Sequence, residues 1–324
     1  MIEIEHLTKQ YGSHTAVSDL SFQVESGGIY GVLGPNGAGK STTMNIMTGC
    51  LSATEGQVRI DGYDIFEEPN QAKRHIGYLP EQPPLYLNES PAEYLRFVGE
   101  AKGLRGEELA RQIASVIQQT GIGDVQHRRI SALSKGYKQR VGIAQALLGN
   151  PEVIILDEPT VGLDPLQIIE IRALIKELGQ SHTVIFSSHI LSEVQNLCDQ
   201  ILIISKGKLV AFDQPEKLER RLRASNEILL TTDAPPEAVR TLLAGVEHIT
   251  HSAWEARESG LWTVRVQTDC GDIYQVSRSI FFAFAGAGKA LLELSVKKAS
   301  LEDVFLELTE QDESETAEKE AAEG

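Results

Sequence analysis

The nine residues GPNGAGKST at 34–42 constrain this chain more than any other feature. Gly34, Gly39, Lys40 and Ser41 satisfy the spacing G-x-x-x-x-G-K-[ST], entered from the apolar run IYGVLG, and that order predicts a strand, a glycine loop and a helix. Glycine lets backbone N–H groups converge on phosphate oxygens without Cβ clashes, and a helix N-terminus favours an anion. Gly34, Pro35, Asn36, Gly37, Ala38, Gly39, Lys40, Ser41 and Thr42 therefore form the expected polyphosphate cradle, with Lys40 reaching the β and γ phosphates and Ser41 placed to hold Mg²⁺. The run AGAGK at 285–289 is only a decoy, because Ala283 and Ala290 stand where the motif needs a glycine and a hydroxyl.

Two later segments, VIILDEP and TVIFSSH, are continuous β-rich apolar runs, the mark of parallel strands buried on both faces. Asp157 and Glu158 close the first of them, so both carboxylates emerge at a strand's C-terminal end, where open α/β sheets bind ligands. Asp157 suits a Mg²⁺ shell, and Glu158 is placed to polarise a water attacking the γ phosphate. An acidic pair at a strand end also serves as a helix cap, but the phosphate loop upstream favours the catalytic reading. His189 follows the second run and is the candidate to contact the γ phosphate and orient that water.

The rest of the chain frames this core. At 324 residues about two domains are expected. Short strands (IEIEHL, LSFQV, GQVRIDG) fill residues 1 to about 66, and a helical pattern opens at Ser90-Pro91 and runs to about Gly149. After residue 222 the composition changes, and residues 223–310 read as a small α+β unit: strand, helix, strand pair, helix, strand, and a last helix opening at Ser300. The tail at 311–324 has six acids against one lysine and no apolar face, which predicts disorder. A net charge of −16 disfavours nucleic acid as a main partner. The longest apolar run, IFFAFAGAG, is too short to span a bilayer, and MIEIEHL lacks the basic flank and apolar stretch of a signal peptide. Cys50, Cys198 and Cys270 share no metal-ligand spacing and are expected to be buried thiols in a reducing cytosol.

The segment ALSKGYKQRVGIAQALLGNPEVIILDEPTVGLDP at 132–165 resembles the ATP-binding subunits of ABC transporters. LSKGYKQR matches the family's signature motif, VIILDEP its Walker B strand, GLDP its D-loop and SSH its switch histidine; the longer phrasing is similar to multidrug-type and gliding-motility-type exporters. The resemblance covers residues 1 to about 220. It implies an α/β P-loop NTPase core of ABC type, residues 1–222, with an inserted helical subdomain at about 85–150, plus the small C-terminal α+β domain. It also implies that Tyr11 stacks on adenine and that two such domains face head to tail. Each ATP is then held by one chain's phosphate loop and by Ser134, Gly136 and Asp164 of the other. ATP and Mg²⁺ are the implied ligands. A second copy or a homologous subunit and a transmembrane permease are the implied partners, which places the chain in the cytoplasm, peripheral on the inner face of the cell membrane.

Two departures stand out. Lys135 and Tyr137 replace a glycine and the glutamine of the family's LSGGQ, while Ser134 and Gly136 remain. The lid glutamine expected after GYLP, a metal contact in the family, is Glu81 with Gln82 beside it, and register counted from GYLP favours Glu81. The proline-rich LPEQPPLYLNES reads either as a stiff lid that carries motion to a membrane subunit or as an ordinary surface loop, and the C-terminal unit as a stabilising accessory or as a dimer or regulatory element. The functional alternative is a soluble ATPase of the same family acting on ribosomes or DNA. Such proteins tend to carry tandem cores or a long coiled-coil insertion, and neither is present. A nucleotide-regulated scaffold without turnover would have a damaged carboxylate pair, whereas Glu158 is intact.

Overall fold

The computed structural model describes residues 1–222, 226–257, 260–270 and 272–297. The chain divides into two compact units, Met1–Pro215 and one that begins at Glu216. In chain order the first unit contains β1 (Ile2–Tyr11), β2 (His14–Val24), β3 (Ile29–Leu33), α1 (Lys40–Met47), β4 (Glu55–Ile60), β5 (Tyr63–Asp64), α2 (Pro69–Ala72) and β6 (Ile76–Leu79). It continues with α3 (Pro91–Ala101), α4 (Gly106–Gln119), α5 (Lys135–Leu147), β7 (Val153–Leu156), α6 (Pro165–Leu178), β8 (Thr183–Ser188), α7 (Leu191–Leu197), β9 (Gln200–Ser205) and β10 (Lys208–Asp213), and α8 (Pro215–Leu222) crosses the boundary.

These strands make two sheets. β2-β1-β4-β5 is antiparallel, and β10-β9-β3-β8-β7-β6 is parallel except for its edge strand β10. β3, β7 and β8 are buried along their whole length, as continuous apolar runs require. The separate antiparallel sheet is a detail that strand-by-strand reading did not resolve. One core joins Ile4 of β1 and Val58 of β4 to Met44 and Met47 of α1 and to Val32 and Leu202 of the parallel sheet, so the helix behind the phosphate loop is anchored by both sheets.

The helical block is fixed by its ends. Ser90 caps α3 in a reciprocal box: its backbone N–H donates to Glu93 Oε2 (2.8 Å) and its Oγ accepts from the Glu93 N–H (3.4 Å). At the other end of the block Lys102 donates to the carbonyls of Gln145 (3.1 Å) and Leu148 (2.7 Å), a cation at the C-terminus of α5.

The second unit holds β11 (Asn226–Thr232), α9 (Pro236–Ala244), β12 (Ile249–Ala256), β13 (Trp262–Thr268), α10 (Ile273–Gly286) and β14 (Glu293–Lys297). Its antiparallel sheet has the order β12-β13-β11-β14, a βαββαβ unit of ferredoxin-like topology. Ile228, Leu230, Val264 and Val266 of the sheet share one core with Val239 and Leu243 of α9 and Ile280 and Phe284 of α10. The helix expected from Ser300 and the acidic tail at 311–324 lie outside the described residues. The cysteines differ from expectation: Cys198 is buried and Cys270 half-buried, but Cys50 is exposed just beyond α1. No helix among the described residues is long and apolar enough to cross a membrane.

Candidate active site

Four neighbouring parallel strands deliver the predicted residues to one edge. In spatial order β3, β8, β7 and β6 end at Leu33, Ser188, Leu156 and Leu79. The loops that follow them carry the glycine loop, His189, the Asp157-Glu158 pair and Glu81, at the carboxyl ends where open α/β sheets take their ligands. The glycines are required by space as well as by torsion. A Cβ on Gly34 would lie 2.4 Å from the Ile204 carbonyl oxygen, and one on Gly39, whose φ is 102°, would lie 2.6 Å from that of Ala16.

The charged groups interlock. Lys40, the first residue of α1, is buried, and its Nζ donates to the carbonyls of Gly34 (2.8 Å) and Pro35 (3.2 Å) and lies 3.5 Å from Glu158 Oε1. Asp157 is buried too; its Oδ1 accepts from Ser187 Oγ (2.6 Å) and from Ser41 Oγ (3.2 Å). Glu158 sits at φ 47°, a left-handed backbone that costs a non-glycine residue about 1–3 kcal/mol and is retained where surroundings over-determine it. Here its N–H donates to Ser187 Oγ (2.8 Å), its Oε1 faces Lys40 and its Oε2 lies 2.9 Å from His189 Nδ1.

Lys40, Ser41, Glu158 and His189 open into a cavity of about 480 Å³ lined also by Asn36 to Thr42 and by Glu81, whereas Gly34, Pro35 and Asp157 do not line it. Tyr11 also lines it, half exposed, with Lys9 Nζ over its ring 5.2 Å from the centre. Glu81 lines this cavity and Gln82 does not. His14, Ala16 and Val161 also line it and went unread in the sequence. So did the part of Ser187, which joins both carboxylate-bearing residues. The only signal for it was its place in the SSH run.

Ser134, Gly136 and Asp164 are elsewhere. They line a second cavity of about 460 Å³, together with Tyr137, Arg140 and Gln167, and among the described residues none lines both. Ser134 caps α5, accepting from the Tyr137 N–H (3.3 Å), and Asp164 caps α6, accepting from the Gln167 N–H (2.9 Å). Two capped helix N-termini thus border one open hollow, a setting that favours an anion. Tyr137 takes no part in the cap beyond its backbone: its hydroxyl donates to Asp124 Oδ2 (2.8 Å).

Comparison with known proteins identifies the arrangement. The family model for ABC transporters matches residues 17–161. The linearmycin resistance ATP-binding protein LnrL of Bacillus subtilis (strain 168) is 34% identical over 310 residues, covering 95% of this chain and 98% of the relative. The chain belongs to the ABC transporter ATP-binding proteins. The bacitracin transport ATP-binding protein BcrA of Bacillus licheniformis is likewise 34% identical, over 95% of this chain and 97% of its own length. The dimeric cassette MJ0796, in a post-hydrolysis state bound to ADP and Pi, superposes with a TM-score of 0.60 at 25% identity, over 66% of this chain and 98% of that one. As a member of the family the chain binds ATP and hydrolyses it, and it is the ATPase subunit of an exporter-type transporter. A role on ribosomes or DNA is not favoured by these relatives.

Proposed function

We propose that the chain completes two identical ATP sites only when a second copy docks head to tail, and that closure of the pair drives export through a separate permease. The observation that carries this reading is the split between the two cavities: the phosphate loop, Glu158 and His189 meet in one, while Ser134, Gly136 and Asp164 line the other.

In this reading Tyr11 stacks on adenine, residues 34–42 cradle the phosphates, and Lys40 leaves its loop carbonyls to neutralise the β and γ oxygens. Glu158 is the general base. Its carboxylate, oriented by the N–H bond to Ser187 and by His189, accepts the proton of the attacking water, and His189 contacts the γ phosphate. Ser134 and Gly136 of the other chain bring a positive helix end to the same phosphate. The donor set Ser41 and Asp157, with Glu81 at the cavity wall, consists of hard oxygens and fits Mg²⁺, which would neutralise phosphate charge. Undivided sites would give an ATPase rate proportional to chain concentration. The proposal predicts a rate that rises faster than linearly in dilute solution, and strict proportionality in a demonstrably monomeric sample would reject it.

The permease is proposed to dock beside the lid. Tyr86 and Leu87 of the proline-rich segment and Phe97 of α3 are exposed, and Tyr86 packs on Phe97 (ring centres 5.1 Å apart), an apolar patch next to the loop that carries Glu81. This attachment would hold the chain on the inner face of the membrane. The names of LnrL and BcrA make an antibiotic the first class of cargo to test. Purification of the tagged chain from detergent-solubilised membranes should carry the permease with it, and recovery with ribosomal proteins or DNA instead would overturn the assignment.

A further inference from the structure

Behind the active site lies a buried carboxylate that none of these roles uses. Glu193 is on α7, four residues after His189, and its side chain is 1% exposed. Its Oε2 accepts two hydrogen bonds, from Thr160 Oγ1 (2.9 Å) and from Ser188 Oγ (2.8 Å). Its Oε1 lies 3.0 Å from Arg172 Nη2 of α6, a charge contact off the direction of a hydrogen bond, so neither Oε1 nor Arg172 Nε has a hydrogen-bond partner among the described residues. Burying a carboxylate with so partial a counter-ion is costly, and an apolar side chain would fill the space at less expense.

The two donors explain what the carboxylate does there. Thr160 is two residues beyond Glu158, in the loop that leaves β7. Ser188 is the last residue of β8 and immediately precedes His189; its Oγ also accepts the Ile190 N–H (3.0 Å), so the hydroxyl holds the chain on both sides of the histidine. Arg172 sits on the helix that Asp164 caps. One side chain therefore touches the catalytic loop, the switch loop and the helix opening at the second cavity. Ser187 already ties Glu158 to β8 from the front, through the backbone N–H. A tie from the rear is what a strained loop at φ 47° needs if its carboxylate is to keep one direction.

We infer that Glu193 is a positioning residue for ATP hydrolysis, a buried clamp that holds the loops of Glu158 and His189 in one register and links that register, through Arg172, to the helix that opens at Asp164. The inference rests on the roles assigned above to Glu158 and His189. It requires the two hydroxyls to act through a common acceptor: breaking either bond frees one loop from the other, and breaking the second adds little.

Substituting Glu193 itself leaves Arg172 unpaired, so the test changes the donors in the full chain. Thr160→Val and Ser188→Ala should each lower kcat about tenfold, since a misplacement of reacting groups by a fraction of an ångström suffices. KM for ATP should stay within about twofold, and the melting temperature should fall by only a few degrees, since the buried carboxylate loses one of its two donors. The double variant should be no slower than the slower single one, and Thr160→Ser, which keeps the hydroxyl, should recover kcat. The clamp is overturned if both single variants hydrolyse ATP at the normal rate, if their effects multiply, or if Thr160→Ser is as slow as Thr160→Val. Glu158→Gln and His189→Ala measured alongside separate the two layers. If those variants are dead and the hydroxyl variants normal, only the clamp fails; if they turn over normally, the reading beneath it has failed.

Discussion

Around Lys40 the charged groups at the ends of β7 and β8 hold one another: Lys40 is met by two carbonyls and Glu158, the Glu158 carboxylate by Lys40 and His189 with its backbone N–H on Ser187, and Asp157 by two hydroxyls. Around Ser134 the picture is different. Arg140 is turned to Glu170 (2.8 Å), Tyr137 to Asp124, and Leu166 at the border of the hollow is 75% exposed. The first half of the site is preorganised within one chain, as electrostatic catalysis requires. The second half offers helix ends and an uncovered apolar residue, which on the proposed two-chain reading meet the surface of the other copy. The departures from the family's pattern fall in both places: the phosphate loop itself is unaltered, but Glu81 lines the nucleotide cavity, and Lys135 and Tyr137 stand in the signature.

The sharpest way to separate the halves is to disable chemistry and leave binding intact. Glu158→Gln keeps the volume and the hydrogen-bonding reach of the side chain but removes its basicity, and turnover should fall by about 10²–10⁴-fold. ATP binding should persist and an ATP-held dimer should accumulate, visible as a doubled mass by gel filtration. Hydrolysis at the wild-type rate would remove Glu158 from its role.

That prediction was available before the fold, and the reason is local. A glycine loop, a strand-end carboxylate pair and a helix cap are each specified by residues adjacent in the chain, so their spacing reads directly as geometry. What escaped are meetings of distant segments. Ala16 and His14 reach the cavity only because β2 lies over the glycine loop, Ser187 joins Asp157 to Glu158 only because β8 is the neighbour of β7, and Glu193 finds Thr160 across 33 residues. The second unit shows the same division. Its alternating strands and helices were readable, but the strand order β12-β13-β11-β14 depends on long-range pairing that no local pattern encodes.

A smaller effect tests the lid. Glu81 lines the nucleotide cavity and Gln82 does not, so Glu81→Gln should shift the Mg²⁺ dependence of the ATPase several-fold to higher concentration, about 1 kcal/mol of lost charge attraction. Gln82→Ala should leave it nearly unchanged. A Glu81→Gln curve superimposable on wild type beside a crippled Gln82→Ala would move the role to the neighbouring residue. The smallest effect is expected from the acidic tail. Deleting residues 311–324, six of them acidic with no apolar face, should alter ATP hydrolysis and thermal stability little, and a large loss of either would show that the segment is docked.

The division of one site between two chains is tested most directly by mixing cripples. Lys40→Ala damages only the phosphate-loop half and Ser134→Arg only the signature half, so each homodimer contains two broken sites. A mixed dimer contains one site in which both halves are damaged and one in which both are intact. Neither variant should hydrolyse ATP alone, and the equimolar mixture should recover up to about a quarter of the wild-type rate, half the dimers being mixed and one site in two being whole. A Ser134→Arg chain as active as wild type, or a mixture no faster than the sum of its parts, would contradict the account.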